Sequence, residues 1–149
     1  MKFIRRLAIP SLWKAKIACF FQTKFTISAM AVVLNQKNEV LLFYHTYRNN
    51  PWGLPGGFIK KSEHPNQAIV REILEESNIR ISKLKLSRIV LDKILNRLSI
   101  VFVTTSAKGT FRASKEVSAS KYFPIYKLPK LPNKQAEIIK DSLQFLGRS

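Results

Sequence analysis

Runs of apolar and β-branched residues recur along the chain, and polar turns separate them. Four such runs occur, at 25–34, 39–46, 84–91 and 98–105. Runs of this length and composition predict strands, and the last two predict a hairpin across 92–97. Residues 47–57 are rich in proline and glycine, which is typical of a loop.

Two other segments have helical spacing. Pro65 stands where a first turn begins, and Ala68, Ile69, Ile73 and Leu74 follow at intervals of one helix face up to Ser77. A second helix is predicted over 133–146, after Pro129 and Pro132. Strands alternating with helices indicate one domain that mixes both elements, which we place at 25–149.

The first 24 residues carry six basic and no acidic side chains, with apolar residues at loose helical spacing. This pattern predicts a basic, amphipathic, helical N-terminal extension. Pro10, Lys14 and Lys16 interrupt its apolar part, which argues against a signal peptide. Packing on the domain, a contact in a homodimer and peripheral binding to an anionic membrane stay open for this segment.

Length and composition narrow the class of protein. With 149 residues and 46% hydrophobic content, the chain fits one packed domain. Cys19 is the single cysteine and has no partner for an internal disulfide, so we expect a cytoplasmic location. No stretch approaches the roughly 20 apolar residues that a membrane-spanning helix needs.

The charge is the most unusual bulk property. The chain has 26 basic and 9 acidic residues, a formal net charge of +17. An anionic partner is therefore expected. A small anionic ligand, a nucleic acid such as RNA and a membrane surface all stay open, because net charge has weak specificity.

Four of the nine acidic residues lie close together in this basic chain. They are Glu63, Glu72, Glu75 and Glu76. Residues three and four apart share a helix face, so the last three present their carboxylates together. Magnesium takes oxygen ligands and is usually held by one or two carboxylates, water and substrate phosphates. Taken alone, this helix could equally present a solvated acidic face tied by an ion pair of Arg71 with Glu75.

The longer pattern carries a resemblance. Gly57 is followed after five residues by Glu63 and, after seven more, by Arg71-Glu72-Ile73-Leu74-Glu75-Glu76-Ser77-Asn78-Ile79. This segment resembles the Nudix box, and Trp52 to Gly57 resembles the loop that enters it. Asn78 stands where the family usually has glycine, and Lys60 and Ser62 also depart from the usual pattern. The resemblance implies the Nudix fold, an α/β/α sandwich with a mixed β-sheet.

The resemblance also implies roles for single residues. Glu72 and Glu76 would be the main metal ligands, supported by Glu75 and by the Gly56 carbonyl. Arg71 would orient a glutamate, and Glu63 would brace the unit of loop and helix that starts at Gly57. Either Glu72 or Glu116 would act as general base, because members of the family differ. The cofactor would be Mg²⁺, with Mn²⁺ as the alternative.

The expected activity is metal-dependent hydrolysis of a phosphoanhydride in a nucleoside diphosphate linked to another group. Removal of pyrophosphate from the 5′ end of RNA is the first alternative. The second is a nucleotide-sensing or nucleic-acid-binding module without turnover, which the complete set of glutamates disfavours. Tyr47 and Trp52 are candidates for stacking on a base, with core packing as the alternative for Trp52.

Overall fold

Two helices enclose the sheets in the computed structural model, which describes residues 19–20, 22–132 and 134–147. The predicted N-terminal helix therefore lies almost wholly outside the described residues. Within them, no helix has the length and apolar character needed to cross a membrane.

The strands are β1 (Thr26–Val33), β2 (Val40–His45), β3 (Trp52–Gly53), β4 (Gly56–Phe58), β5 (Arg80–Ser82), β6 (Lys85–Asp92), β7 (Arg97–Thr104), β8 (Ser106–Lys108) and β9 (Val117–Phe123). The α-helices are α1 (Pro65–Ser77) and α2 (Gln135–Phe145), and a 3₁₀ turn covers Ile125–Lys127. The largest sheet has the order β4-β1-β7-β6, beside a sheet β3-β2-β9 and a ribbon β5-β8. Because β1 and β7 are parallel and the other pairs are antiparallel, the predicted mixed sheet is confirmed.

Alternation along β1 and β2 assigns their buried apolar side chains to one of two cores. Ala29, Ala31 and Val33 of β1 pack with α1, whereas Val32 packs with Val40 and with α2. Strands buried on both faces need continuous apolar sequence, which is present at 29–33 and 40–43. The predicted α/β/α sandwich follows from this arrangement.

The elements with strong periodicity are confirmed, including both predicted helices and the hairpin of β6 and β7. The prediction of a loop over 47–57 is wrong in part, because this segment contains β3 and the first residues of β4. These strands pair through backbone groups with β2 and β1. Both strands are two or three residues long and rich in glycine, so they carry no alternating strand pattern.

Helix α1 ends at a left-handed residue. Asn78 has φ 60° and ψ 13°, and its backbone N–H donates to the Leu74 carbonyl. Its side-chain Nδ2 also donates to the Thr110 carbonyl at 3.2 Å. Asn replaces glycine here because its short polar side chain tolerates this conformation.

We expect Asn78→Val to lower the free energy of unfolding by about 1 to 2 kcal/mol, because a β-branched side chain is strained at positive φ. Asn78→Gly is the matched control, since glycine adopts the same backbone without strain. Chemical denaturation of the three proteins measures the effect. Equal midpoints for Asn78→Val and the original protein would contradict it.

Candidate active site

Two glycines of β4 make close contacts on either side, Gly56 with β1 and Gly57 with the carboxylate-bearing helix. Gly56 lies close to β1, where an added Cβ would be 2.8 Å from the Met30 Cβ. Gly57 faces α1, and a Cβ there would lie 2.6 Å from Oε2 of Glu72. Both positions therefore need glycine for space. As a result, the backbone of the loop and the Glu72 carboxylate are in direct proximity.

Arg71 joins three of the predicted glutamates. Its Nε donates to Oε1 of Glu63 at 2.7 Å and its Nη2 donates to Oε2 at 2.9 Å, a bidentate pair. Its Nη1 donates to Glu72 at 2.8 Å and to Glu75 at 3.1 Å. A further contact from Nη2 reaches the Phe58 carbonyl at 3.3 Å. One guanidinium thus fixes the loop, the start of α1 and its acidic face relative to one another.

These contacts also set the charge states. Hydrogen bonds from Arg71, and then from the Lys60 backbone N–H, lower the pKa of Glu63 to about 2. The same pairing with Glu63, together with Glu72 and Glu75, raises the pKa of Arg71. Both partners are therefore ionised over the whole neutral range.

Glu76 has a different environment from its neighbours. It is 7% exposed, and its Oε2 atom is buried without a hydrogen-bond partner. Burial, and then the charges of Glu72 and Glu116, raises its pKa to about 7. An ionised carboxylate in this position needs a cation, because a buried unpaired charge is costly.

A cavity of about 540 Å³ opens beside this helix. Of the predicted site residues, it brings together Gly56, Gly57, Glu72, Glu76 and Glu116. Glu63 and Arg71 brace it from outside the lining. Glu75 is not in the lining, since its half-exposed side chain turns toward Arg71.

In this arrangement no set of three or more His, Cys, Asp or Glu side chains among the described residues could by itself hold a metal ion. Glu75 is turned toward Arg71 and away from the cavity, so it does not join Glu72 and Glu76 there. The donor chemistry nevertheless fits magnesium, which usually needs only one or two carboxylates beside water and phosphate oxygens. The buried, unpartnered Oε2 of Glu76 is the atom best placed to gain from such an ion.

The cavity also contains residues that sequence reasoning did not single out. Arg48 and Gln135 line it, and Gln135 Oε1 accepts the Leu54 backbone N–H at 2.8 Å. Arg48 lies in the loop after β2 and Gln135 begins α2, and both positions are outside the box, so the box pattern does not mark them.

The two aromatic candidates for base stacking differ in position. Tyr47 is in the cavity lining and is 61% exposed. Trp52 instead packs edge-on between Tyr44 and Phe123, with ring centroids 5.3 and 4.9 Å away, so its role is structural.

Similarity to known proteins decides the family. The family model described as NUDIX domain matches residues 24–142. The chain belongs to the Nudix family. The resemblance predicted from the box is therefore confirmed, and so is the expectation of a hydrolase acting on phosphorus-containing acid anhydrides.

Curated relatives agree with this assignment. The chain is 32% identical over 122 residues to an ADP-ribose pyrophosphatase of Methanocaldococcus jannaschii, covering 76% of this chain and 70% of that protein. It is 30% identical over 103 residues to the NAD-capped RNA hydrolase NudC of Pectobacterium atrosepticum, covering 68% of this chain but only 40% of that protein. At this coarse level, these relatives support hydrolysis of nucleoside diphosphate derivatives.

Solved structures show the same fold. The NUDIX domain of Shewanella oneidensis NrtR, in a cocrystal structure with ADP ribose, superposes with a TM-score of 0.72 at 18% identity. That comparison covers 89% of this chain and 98% of the other. At this identity the likeness supports the Nudix fold and nothing finer.

Proposed function

We propose that this protein hydrolyses the pyrophosphate linkage of a nucleoside diphosphate derivative in a Mg²⁺-dependent reaction, with ADP-ribose as the first candidate substrate. The observation that carries the proposal is the buried, unpartnered carboxylate of Glu76 in a cavity shared with Glu72 and Glu116. The relative named ADP-ribose pyrophosphatase supports the choice of first substrate.

Glu76 and Glu72 are the residues that would hold the ion, with the Gly56 carbonyl as a third donor and Glu75 in support. Mn²⁺ is the alternative ion. The chemistry that such an ion would supply is polarisation of the phosphoryl oxygens and activation of a water. Arg71 and Glu63 fix the direction from which Glu72 reaches the cavity.

Between the two candidate bases, we favour Glu116. Oε1 of Glu72 accepts a 2.8 Å charge-assisted hydrogen bond from Arg71, so this oxygen is already engaged. Glu116 is exposed at the cavity lining, and no hydrogen bond to its side chain is found among the described residues. A carboxylate that faces the cavity without such a contact is free to accept a proton from an attacking water.

RNA is the alternative substrate, and both the charge of +17 and the relative named NAD-capped RNA hydrolase favour testing it. Contact with an anionic membrane through 1–24, homodimer formation and a cytoplasmic location stay predictions.

We expect Mg²⁺-dependent release of AMP from ADP-ribose that changes little between about 50 and about 200 mM salt, because few phosphates are engaged. The same assay is run on 5′-triphosphorylated and NAD-capped RNA oligonucleotides, with excess chelator as control. Preferred turnover of RNA, together with binding that weakens by orders of magnitude over this salt range, would favour the alternative. No turnover of any substrate with Mg²⁺ or Mn²⁺ would contradict the proposed function.

A further inference from the structure

The loop after β2 places the Arg48 guanidinium in the cavity lining. Among the described residues, the ion pairs found involve Arg71, Arg88 and Arg97, and none involves Arg48. Arg48 is nevertheless half-buried in the lining that also contains Glu72 and Glu76. A partly desolvated guanidinium without a directly bonded anion is costly unless an anionic ligand completes it.

The surroundings hold this side chain in place. Nη2 of Arg48 donates to the Tyr47 hydroxyl at 3.2 Å, and its Cζ atom lies 5.3 Å from the centroid of the Tyr47 ring. A Cβ added at Gly53 would lie 3.0 Å from Nη1 of Arg48 and 3.3 Å from Oε1 of Gln135. The absent side chain at Gly53 thus leaves room for Arg48 next to Gln135. The guanidinium is oriented before any ligand binds.

Two nearby groups are compatible with a positive charge here. His45, at the end of β2, is fully buried, and burial followed by the Arg48 charge lowers its pKa to about 4. Its imidazole is therefore neutral at neutral pH and does not add a second positive charge. The second group is Glu76, on which the Arg48 charge acts to lower the pKa that burial raises.

Gly53 of β3 and Gly57 of β4 lie beside groups of opposite charge. Gly57 is next to Glu72 and the acidic helix, whereas Gly53 is next to Arg48 and Gln135. A pyrophosphate group has two negatively charged phosphoryl units. The carboxylate side needs a cation between itself and one unit, while a guanidinium can bind the oxygens of the other directly with its planar fork.

We propose that Arg48, oriented by Tyr47, binds the phosphoryl group of the substrate that is not engaged at the glutamates. This assignment rests on the proposed function and makes Arg48 a residue for pyrophosphate recognition. Arg48 acts by binding and positioning and transfers no proton. Since it would contact ground state and transition state alike, its loss should raise KM more than it lowers kcat.

The test uses the full chain and α,β-methylene-ADP, which keeps both phosphoryl groups and lacks the hydrolysable bridging oxygen. Calorimetric titration with Mg²⁺ should show that Arg48→Gln weakens binding by about 10-fold or more. The KM for ADP-ribose should rise to a similar extent, with kcat changed by less than about threefold. Arg48→Lys, which keeps the charge without the fork, should recover only part of the affinity.

Arg80→Gln is the matched control, because Arg80 is exposed on β5 and is not in the cavity lining. It removes the same charge from the protein and should leave affinity and KM unchanged. Melting temperatures check that each variant is folded. Unchanged affinity of Arg48→Gln for α,β-methylene-ADP would overturn the assignment. An equal loss of affinity in Arg80→Gln would also overturn it.

The two proposals can fail separately. If the original protein does not hydrolyse ADP-ribose, the proposed substrate is wrong, but titration with α,β-methylene-ADP still tests Arg48. If the original protein hydrolyses ADP-ribose and the Arg48 variants have the same affinity and KM, the proposed function is retained. Pyrophosphate recognition then depends on other residues.

Discussion

Glu76→Gln is expected to reduce turnover by about 100-fold or more, since even outer-shell changes at metal sites cost about 10- to 100-fold. Glutamine keeps the size of the side chain and one acceptor oxygen, but it removes the negative charge. The buried Oε2 that lacks a partner is the atom at issue. A ligand to the ion is damaged by this change, whereas a structural side chain of the same shape is largely preserved.

The matched control is Glu137→Gln, which makes the same chemical change at an exposed position in the first turn of α2. It should retain full activity. Added Mg²⁺ should raise the melting temperature of the original protein and of Glu137→Gln more than that of Glu76→Gln, because a ligand specific to the folded state adds stability according to its affinity. Full activity in Glu76→Gln would show that Glu76 is not a ligand of the ion. An equal Mg²⁺-induced rise in melting temperature in Glu76→Gln and the original protein would show the same.

Without divalent ions, Glu76→Gln should be more stable than the original protein at neutral pH. The pKa of Glu76 is raised from 4.5 to about 7, so the folded state disfavours the ionised form. The penalty is absent below the unfolded pKa, grows as the pH rises through the interval, and is complete above the folded pKa. Glutamine does not titrate. Its stability relative to the original protein should therefore rise between pH 4.5 and 7 and stay constant above.

We expect this gain to reach about 1 to 3 kcal/mol, allowing for relaxation and water penetration around a carboxylate in the cavity wall. Denaturation in excess chelator at several pH values measures it. Parallel stability curves for the two proteins across this range would show that burial and the neighbouring charges do not act on Glu76 as the structure indicates.

The fold was predictable where the sequence pattern is local. Helix α1 has Pro65 at its start, apolar residues at helical spacing and Asn78 at its end, so each boundary has its own signal. Strand β9 has no such signal, because its sequence, VSASKYF, is mainly small and polar. It is held by antiparallel pairing with β2, which depends on residues distant along the chain.

The candidate site divides in the same way. Glu72, Glu76 and Gly57 could be named from the spacing of the box, and the structure places all three at one cavity. Glu75 carries the same chemical signal but turns to Arg71, since side-chain direction depends on contacts that spacing does not report. Arg48 had no signal at all. Its position depends on the turn after β2 and on the missing side chain of Gly53.

Gly57→Ala should reduce kcat/KM by about 100-fold, because displacement of a catalytic group by about 1 Å can have an effect of this size. The three heavy atoms nearest to an added Cβ all belong to the Glu72 side chain, including Oε2 at 2.6 Å and Cγ at 2.7 Å. Glu72 must therefore move, and its hydrogen bond with Arg71 must change with it.

The stability of the same variant shows whether Glu72 is the group displaced. Overpacking should lower the free energy of unfolding of Gly57→Ala by about 1 to 3 kcal/mol. In a Glu72→Ala background the obstructing atoms are gone, so the added methyl should cost much less. The two effects are then non-additive, as expected for side chains in contact. Thermal and chemical denaturation of the original protein, both single variants and the double variant measure this coupling. An equal loss of stability in the two backgrounds would mean that the methyl group contacts something other than Glu72. The close contact between Gly57 and the Glu72 carboxylate would then be wrong.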